Sequence, residues 1–334
     1  MFQVWKFIVR RVLLALVIIV LGSLIIYGVM RCMPTSYVES VARQRAAATA
    51  TSGGKSYKEW LDELNAAYHM NDGVLTGFIN WLGNVVKGDF GNSWKYGVPV
   101  IQKFNDVIWY SVVLNIITMI LEVVICLPLG IQAAKRQYSG FDYGITVFAM
   151  LCISLPTFFL ATILKYIFAI RLGWFDLYGI VGRYYEQLTP WGRFLDMTKH
   201  MVLPTLTLTM LNVGGLTRYT RTNMLEVLNA DYIRTARAKG LSEKVVINRH
   251  AFRNTLIPLV SYMSYLIPSL FSGSMITETL FQIPGIGYIS YDAMVAGDLP
   301  FTMFYSIFGL ILTQLSLMLA DIMYAVVDPR VRIN

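Results

Sequence analysis

Val12-Leu-Leu-Ala-Leu-Val-Ile-Ile-Val-Leu-Gly-Ser-Leu-Ile-Ile-Tyr-Gly-Val-Met30 is a run of 19 residues without a charge. At 1.5 Å per residue a helix of this length matches a hydrocarbon core about 30 Å thick. Lys6, Arg10 and Arg11 precede it, as basic residues precede a signal peptide. A signal peptide has a shorter apolar core, about 7–15 residues, and a small-residue cleavage site. This run ends instead in Met30-Arg31-Cys32-Met33-Pro34, which predicts a retained helix.

The whole chain agrees with that solvent. Of its 334 residues 56% are hydrophobic and 14% charged, where a soluble domain carries about 25% charged. Mean hydropathy is +0.54. The net charge of +8 would suggest nucleic acid in a soluble protein; in a membrane protein it follows from basic loops on one side. No nucleic-acid partner is expected; lipid is. Cys32, Cys126 and Cys152 read as small hydrophobes rather than a disulfide framework. His69, His200 and His250 lack metal-ligand spacing, so no metal site is expected.

Five further apolar runs follow. Span two covers about Val107–Ala134 and contains Glu122 and Pro128. Span three covers about Tyr143–Ile170, with Pro156 and Lys165, and span four Met201–Thr217, with Gly214-Gly215 near its end. Span five covers Leu256–Thr277 and span six Phe301–Val327, with Asp321 in its last part. The fold class is therefore all-α integral membrane with six transmembrane helices. Three segments result. Residues 1–30 are the N-terminus and first span, 31–105 a polar extracytoplasmic insert with short helices, and 106–334 the membrane core.

Within the insert, Ala46–Gly54 is low in complexity and reads as flexible. Lys58–Met70 and Thr76–Lys87 have helical patterning, with Phe78, Leu82, Val85 and Val86 on one face. Residues 218–253 carry eight basic residues: Arg218, Arg221, Arg234, Arg237, Lys239, Lys244, Arg249 and Arg253. Lys135 and Arg136 follow span two, and Arg330 and Arg332 lie in the tail, whereas Glu278–Pro300 has no basic residue. The positive-inside rule then places both termini and 218–253 in the cytoplasm.

From Asp231 the chain reads DYIRTARAKGLSEKVVINRHAFRNTLIP. This resembles the cytoplasmic signature loop of permeases of the oligopeptide/dipeptide group of ABC importers. Phe7-Ile-Val-Arg-Arg-Val-Leu resembles that group's N-terminus. Trp81-Leu-Gly-Asn with Gly88-Asp-Phe-Gly-Asn-Ser resembles its outer-loop motif. Glu278-Thr-Leu-Phe-Gln-Ile-Pro-Gly-Ile-Gly resembles the string after its fifth span, and Asp328-Pro-Arg-Val-Arg its C-terminus. Two departures stand out. Arg234-Thr235-Ala236 replaces the generic Glu-Ala-Ala, and Met33-Pro34-Thr35-Ser36-Tyr37 replaces a Leu-Pro-Gly-Asp-Pro run.

The resemblance implies the type I ABC importer permease fold in a prokaryotic inner membrane. It implies a second homologous permease, two ABC ATPase subunits that hold the ATP and magnesium, and an extracytoplasmic peptide-binding protein. The chain itself would bind no cofactor and perform no catalysis. The 218–253 loop would couple to the ATPase through a short helix. Tyr232, Ile233, Ala236 and Leu241 would be apolar anchors, Arg234, Arg237 and Lys239 a charged rim, and Gly240 a turn between two short helices. The family also implies nickel, glutathione or oligosaccharide as alternative cargo. An ion-coupled secondary transporter, an intramembrane enzyme and a non-transporting scaffold are the rival classes.

Ser261, Ser264, Tyr265 and Ser272 in span five share a face with Pro268, at 100° per residue. They read either as a translocation-path lining or as tight helix packing. Glu122 is an intramembrane carboxylate that pairs across helices or stays protonated; with no acidic or histidine neighbour in other spans it makes a thin proton relay. Lys165 is expected to snorkel outward and Asp321 to meet a basic loop residue. Gly53-Gly54-Lys55-Ser56 looks like the end of a phosphate loop, but Thr49 stands where the motif needs glycine. The chain therefore has no nucleotide site of its own.

Overall fold

The computed structural model describes residues 2–32, 37–49, 55–67, 70–264 and 266–327. Side chains at 2–8, 49, 257, 260, 261, 263, 264 and 321–327 are outside that description. Expectations on His69, Asp321, Arg330, Arg332 and the terminal Asp328-Pro-Arg-Val-Arg string therefore lie outside the described residues. The described chain is helical apart from loops and one isolated antiparallel bridge, Asn92 with Pro99.

The helices are α1 (Phe2–Cys32), α2 (Tyr37–Thr49), α3 (Tyr57–Ala67), α4 (Val74–Val86), α5 (Val100–Lys135), α6 (Gly140–Ser154), α7 (Thr157–Leu164) and α8 (Pro190–Leu228). They continue with α9 (Asp231–Ala238), α10 (Glu243–Val245), α11 (Phe252–Ser264), α12 (Ile267–Ser272), α13 (Met275–Phe281), α14 (Ile286–Val295) and α15 (Leu299–Val327). The π-helical turns Lys165–Arg171 and Val246–Ala251 extend α7 and α10. The chain divides into two units, Met1–Ile108 with Ile289–Gln314, and Trp109–Tyr288 with Leu315–Asn334.

In the first unit α4 packs on α1 and the start of α15. Tyr27, Phe78, Leu299 and Met303 are its buried centre, with Trp81 and Leu82 beside them. The face expected from Phe78 and Leu82 is the inner one, whereas Val86 is 82% exposed and points away. Helices α2 and α3 pack together through Val38, Ala42 and Leu64. The Ala46–Gly54 expectation needs correction in its first half. Residues 46–49 continue α2, because alanine is the best helix former; residues 50–54 lie outside the described residues. Lys55 and Ser56 serve a helix start rather than a phosphate. Glu59 accepts from the Ser56 amide at 2.7 Å and the Glu59 amide donates back to Ser56 Oγ at 3.4 Å, a capping box. Asp298, fully buried before α15, accepts from Ser93 Oγ and from the Lys95 amide at 3.1 Å.

In the second unit α5, α7, α8 and α13 share a core of Leu114, Leu160, Leu164, Leu203, Phe281 and Ile283. The stretch expected as one straight third span is bent by 105° between Ser154 and Thr157. Pro156 forces this. It disfavours helical geometry at Leu155, which is extended at φ −81°, ψ 128°. Lys165 does not snorkel. It is buried, its Nζ donates to the Leu280 carbonyl at 2.7 Å, and it lies 3.9 Å from the Tyr178 ring centroid. A terminal carbonyl of α13 and an aromatic face stand in for water.

Among the described residues three helices, within α1, α5 and α15, are alone long and apolar enough to cross a bilayer; the bent pair α6–α7 makes a fourth. Helix α8 contains the expected fourth span. Its 39 residues extend about 58 Å, well beyond a hydrocarbon core of about 30 Å. The expected fifth span falls on α11, α12 and the start of α13.

Candidate coupling loop and polar cavity

The 218–253 segment is more ordered than a loop. Residues 218–228 continue α8, and Ala230 then starts α9. The Ala230 carbonyl accepts from the Ile233 amide at 3.0 Å. Helix α9 stops where Gly240 takes φ +77°. The Gly240 amide donates to Arg237 O at 2.9 Å and the Leu241 amide to Ala236 O at 3.4 Å. This is a Schellman ending, which glycine adopts without Cβ strain. No neighbour lies within 4 Å of a Cβ built there, so backbone conformation alone selects glycine.

The expected anchors divide into two sets. Ile233 and Ala236 are buried within the chain's own core, with Ala134, Met224, Val246, Ile247 and Ala251. They attach α9 to the ends of α5 and α8 and cannot also fill a partner's groove. Tyr232, Arg234, Arg237, Lys239, Gly240 and Leu241 are exposed. Tyr232 and Ile233 are adjacent and so about 100° apart around the helix; Ile233 and Ala236 turn inward while Tyr232 turns outward. Val245, 38% exposed, joins the outer set and had not been singled out.

The outer set is braced locally. Arg237 binds Glu243 through two hydrogen bonds, Nη2 to Oε1 at 2.7 Å and Nε to Oε2 at 3.2 Å. That contact holds the Glu243 carboxyl below its ordinary range and raises Arg237. Partial burial raises the Tyr232 phenol, against a hydrogen bond with Asn254.

A second pair fixes the base of the segment and escaped the sequence reading. Arg221 donates Nε and Nη2 to Asp142 at 2.5 and 2.7 Å, and the Tyr138 amide donates to the same carboxylate at 3.0 Å. Asp142 was legible as the acid three residues after Ser139, the N-cap of α6. Its cation, 79 positions away, was not. The start of α6 is thus tied to α8, beside the end of α5 that packs on α9.

The span-five residues fare differently. Ser261, Ser264 and Tyr265 lie outside the described side chains. Ser272 ends α12 and lines a cavity of about 200 Å³ with Asn115, Thr118, Glu122, Asn212, Ser269 and Ser274. Glu122, 3% exposed, lines this cavity opposite Asn212 of α8. Beyond this cavity the chain enters the Glu278 string. Glu278 is fully buried and accepts from Ser111 Oγ at 2.7 Å and from the Ser274 and Tyr288 amides at 2.9 Å. A Cβ at Gly285 would stand 2.4 Å from Ser111 Oγ and 2.5 Å from the Glu278 carboxylate, so the motif's glycine is a close-approach position. No group of histidines, cysteines and carboxylates among the described residues could hold a metal.

Three similarities bear on this arrangement. Residues 126–333 match the family described as binding-protein-dependent transport system inner membrane component. The chain is 34% identical over 326 residues to the oligopeptide transport system permease protein AppB of Bacillus subtilis, covering 97% of this chain and 98% of that one. It is 33% identical over 331 residues to the oligopeptide transport system permease protein OppB of Salmonella typhimurium, covering 98% and 99%.

Proposed function

Because this chain belongs to the binding-protein-dependent transport system inner membrane components, we propose that it is the permease subunit of an ATP-driven peptide importer. Peptide as cargo follows from the names of relatives that match nearly its full length, the oligopeptide permeases AppB and OppB. In this reading it pairs with a second homologous permease. Two ATPase subunits bind on the cytoplasmic side and hold ATP and magnesium, and an extracytoplasmic peptide-binding protein docks opposite. The chain crosses the membrane six times with both termini inside and residues 31–105 outside.

The observation that carries the mechanism is the divided face of α9. Ile233 and Ala236 fasten the helix to α5 and α8, while Tyr232, Leu241, Val245 and the Arg234, Arg237 and Lys239 charges remain outward. A short helix fixed rigidly to its own chain, with Tyr232 set among charges on its free side, suits helix-in-groove docking. Closure of the ATPases then moves α9, and α8, continuous with it through Asn229 and Ala230, carries the displacement into the membrane. A flexible loop would absorb the same motion.

The test is reconstitution of the four-part complex in proteoliposomes with its binding protein. Uptake of labelled peptide should require ATP and the binding protein, and nickel salts, glutathione or oligosaccharides should not compete. Tyr232→Ala should lower ATPase retention about tenfold, the scale of one good interface residue, and leave membrane insertion unchanged. Peptide uptake driven by an ion gradient in the absence of the ATPases would sink the proposal.

A further inference from the structure

Most hydroxyl and amide donors lining the 200 Å³ cavity of the second unit are already used. Thr118 donates its hydroxyl to Leu114 O at 2.9 Å, Ser269 to Leu266 O at 2.6 Å and Ser274 to Asn115 Oδ1 at 3.1 Å. The Asn115 amide donates to Ser269 O at 2.9 Å and Leu270 O at 3.3 Å. These donors are committed to the protein. What remains toward the cavity is hydroxyl lone pairs, the Asn212 side-chain amide and above all the Glu122 carboxyl.

Glu122 sits about 20 Å along α5 from its Lys135 end, within the apolar stretch of that helix. No described lysine, arginine or histidine forms an ion pair with it. A buried carboxyl without a cation is costly in a low-dielectric setting and persists where a function holds it. The cavity is smaller than the roughly 300–1,000 Å³ that whole ligands occupy, so it suits an end group rather than a peptide.

From this we infer that the Glu122 cavity is a transit subsite for a primary ammonium group of the cargo. The inference rests on the peptide-importer reading, under which every unblocked substrate carries an ammonium at its N-terminus and some carry one on lysine. The Glu122 carboxyl pairs with the ammonium, and Asn212 and the Thr118 and Ser269 oxygens accept its remaining hydrogens. A cation passing the membrane core is thereby paired on the way, and no bond is made or broken.

The experiment uses the assembled complex in nanodiscs, without the binding protein, so that the binding protein's own preference does not enter. Equilibrium dialysis measures trialanine, Nα-acetyl-trialanine and an Nα-acetyl tripeptide with one internal lysine. Wild type should retain trialanine about tenfold better than its acetylated form, the scale of a charged hydrogen bond, and Glu122→Gln should bring the two within about twofold. Recovery of affinity by the acetylated lysine peptide in wild type alone assigns the site to any ammonium; lack of recovery restricts it to the N-terminus. An equal loss of all three peptides in Glu122→Gln, or equal retention in wild type, overturns the subsite. If Glu122→Gln does not assemble, Asn212→Asp decides: a second carboxyl at this exposed position should widen the preference several-fold, and an unchanged ratio overturns the inference. Proteoliposome uptake separates the two ideas. Wild type that imports no peptide refutes the peptide reading; wild type that imports peptide but shows no ammonium preference in the nanodisc refutes only the subsite.

Discussion

The 231–251 segment and the 273–288 segment both contain glycines at decisive positions and both belong to the second unit, yet they use their polar groups in opposite ways. The second turns them inward. Glu278 is fully buried and accepts from one hydroxyl and two amides of its own unit, with glycines closing over it. The first turns them outward. Its one bidentate pair, Arg237 with Glu243, is half exposed, and Tyr232 and Leu241 stand in the open. A segment that satisfies itself is built to hold shape. A segment whose apolar anchors are inside and whose charges are outside is built to be gripped.

The contrast is most easily broken at Glu278. Glu278→Ala would orphan three donors in a buried site, at about 1–3 kcal/mol each, so a loss of about 5 kcal/mol is expected. Thermal melting and monodisperse elution of the purified chain should show it as failed assembly. A stable Glu278→Ala protein would mean that water enters this segment, and its inward character would be lost.

Asp142→Ala should cost less, about 2–3 kcal/mol. It removes the carboxylate of a pair whose aspartate is buried but whose arginine keeps 24% of its side-chain exposure, and breaking fully buried pairs costs about 3–5 kcal/mol. A double-mutant cycle with Arg221→Ala measures the coupling. Near-additive losses would detach the α5–α6 link from the base of the coupling segment.

Gly240→Val tests the outward segment itself. A β-branched residue at φ +77° is strained by about 1–3 kcal/mol, with no steric clash to add. The spans should insert normally, while the Schellman ending opens and Leu241 is re-aimed. Peptide uptake and peptide-stimulated ATP hydrolysis should both fall, against an unchanged elution profile. Wild-type coupling in this variant removes the glycine from the mechanism; aggregation would show that the segment, like the Glu278 string, is needed for the fold.

The smallest effect belongs to Glu243→Gln. The pair is largely in solvent, so only a few tenths of a kcal/mol are expected after screening. The Glu243 carboxyl is lowered in the folded protein. Its contribution is therefore complete above the ordinary carboxylate range and declines as pH falls through the depressed value. Stability of wild type minus Glu243→Gln should be flat near neutral pH and shrink in acid. A difference that grows in acid would contradict the assigned direction.

Much of this was legible before any coordinates. An uncharged 19-residue run, loops basic on one side and a glycine closing the Ala236–Lys239 stretch are local facts, and local facts decide solvent, helix and turn. Less legible was anything requiring two distant residues. Lys165 read as a snorkelling cation because its neighbours in sequence are apolar; Leu280 and Tyr178, which hold it, are remote. Ile233 and Ala236 read as partner contacts because periodicity records which residues share a helix face and not what that face meets. The low complexity of Ala46–Gly54 reads as flexible, although its alanines favour the helix that continues to Thr49.

By itself the sequence determined that this chain is helical, that its solvent is lipid, and that Gly240 ends a helix, because hydropathy, helix propensity and left-handed backbone geometry act over a few residues. Tertiary structure alone decided which anchors face inward, that the third apolar stretch bends at Pro156 by 105°, and that Glu122 lines a cavity with Asn212. Those outcomes depend on which helices pack together, and packing pairs residues by shape and burial across distances that no local pattern encodes.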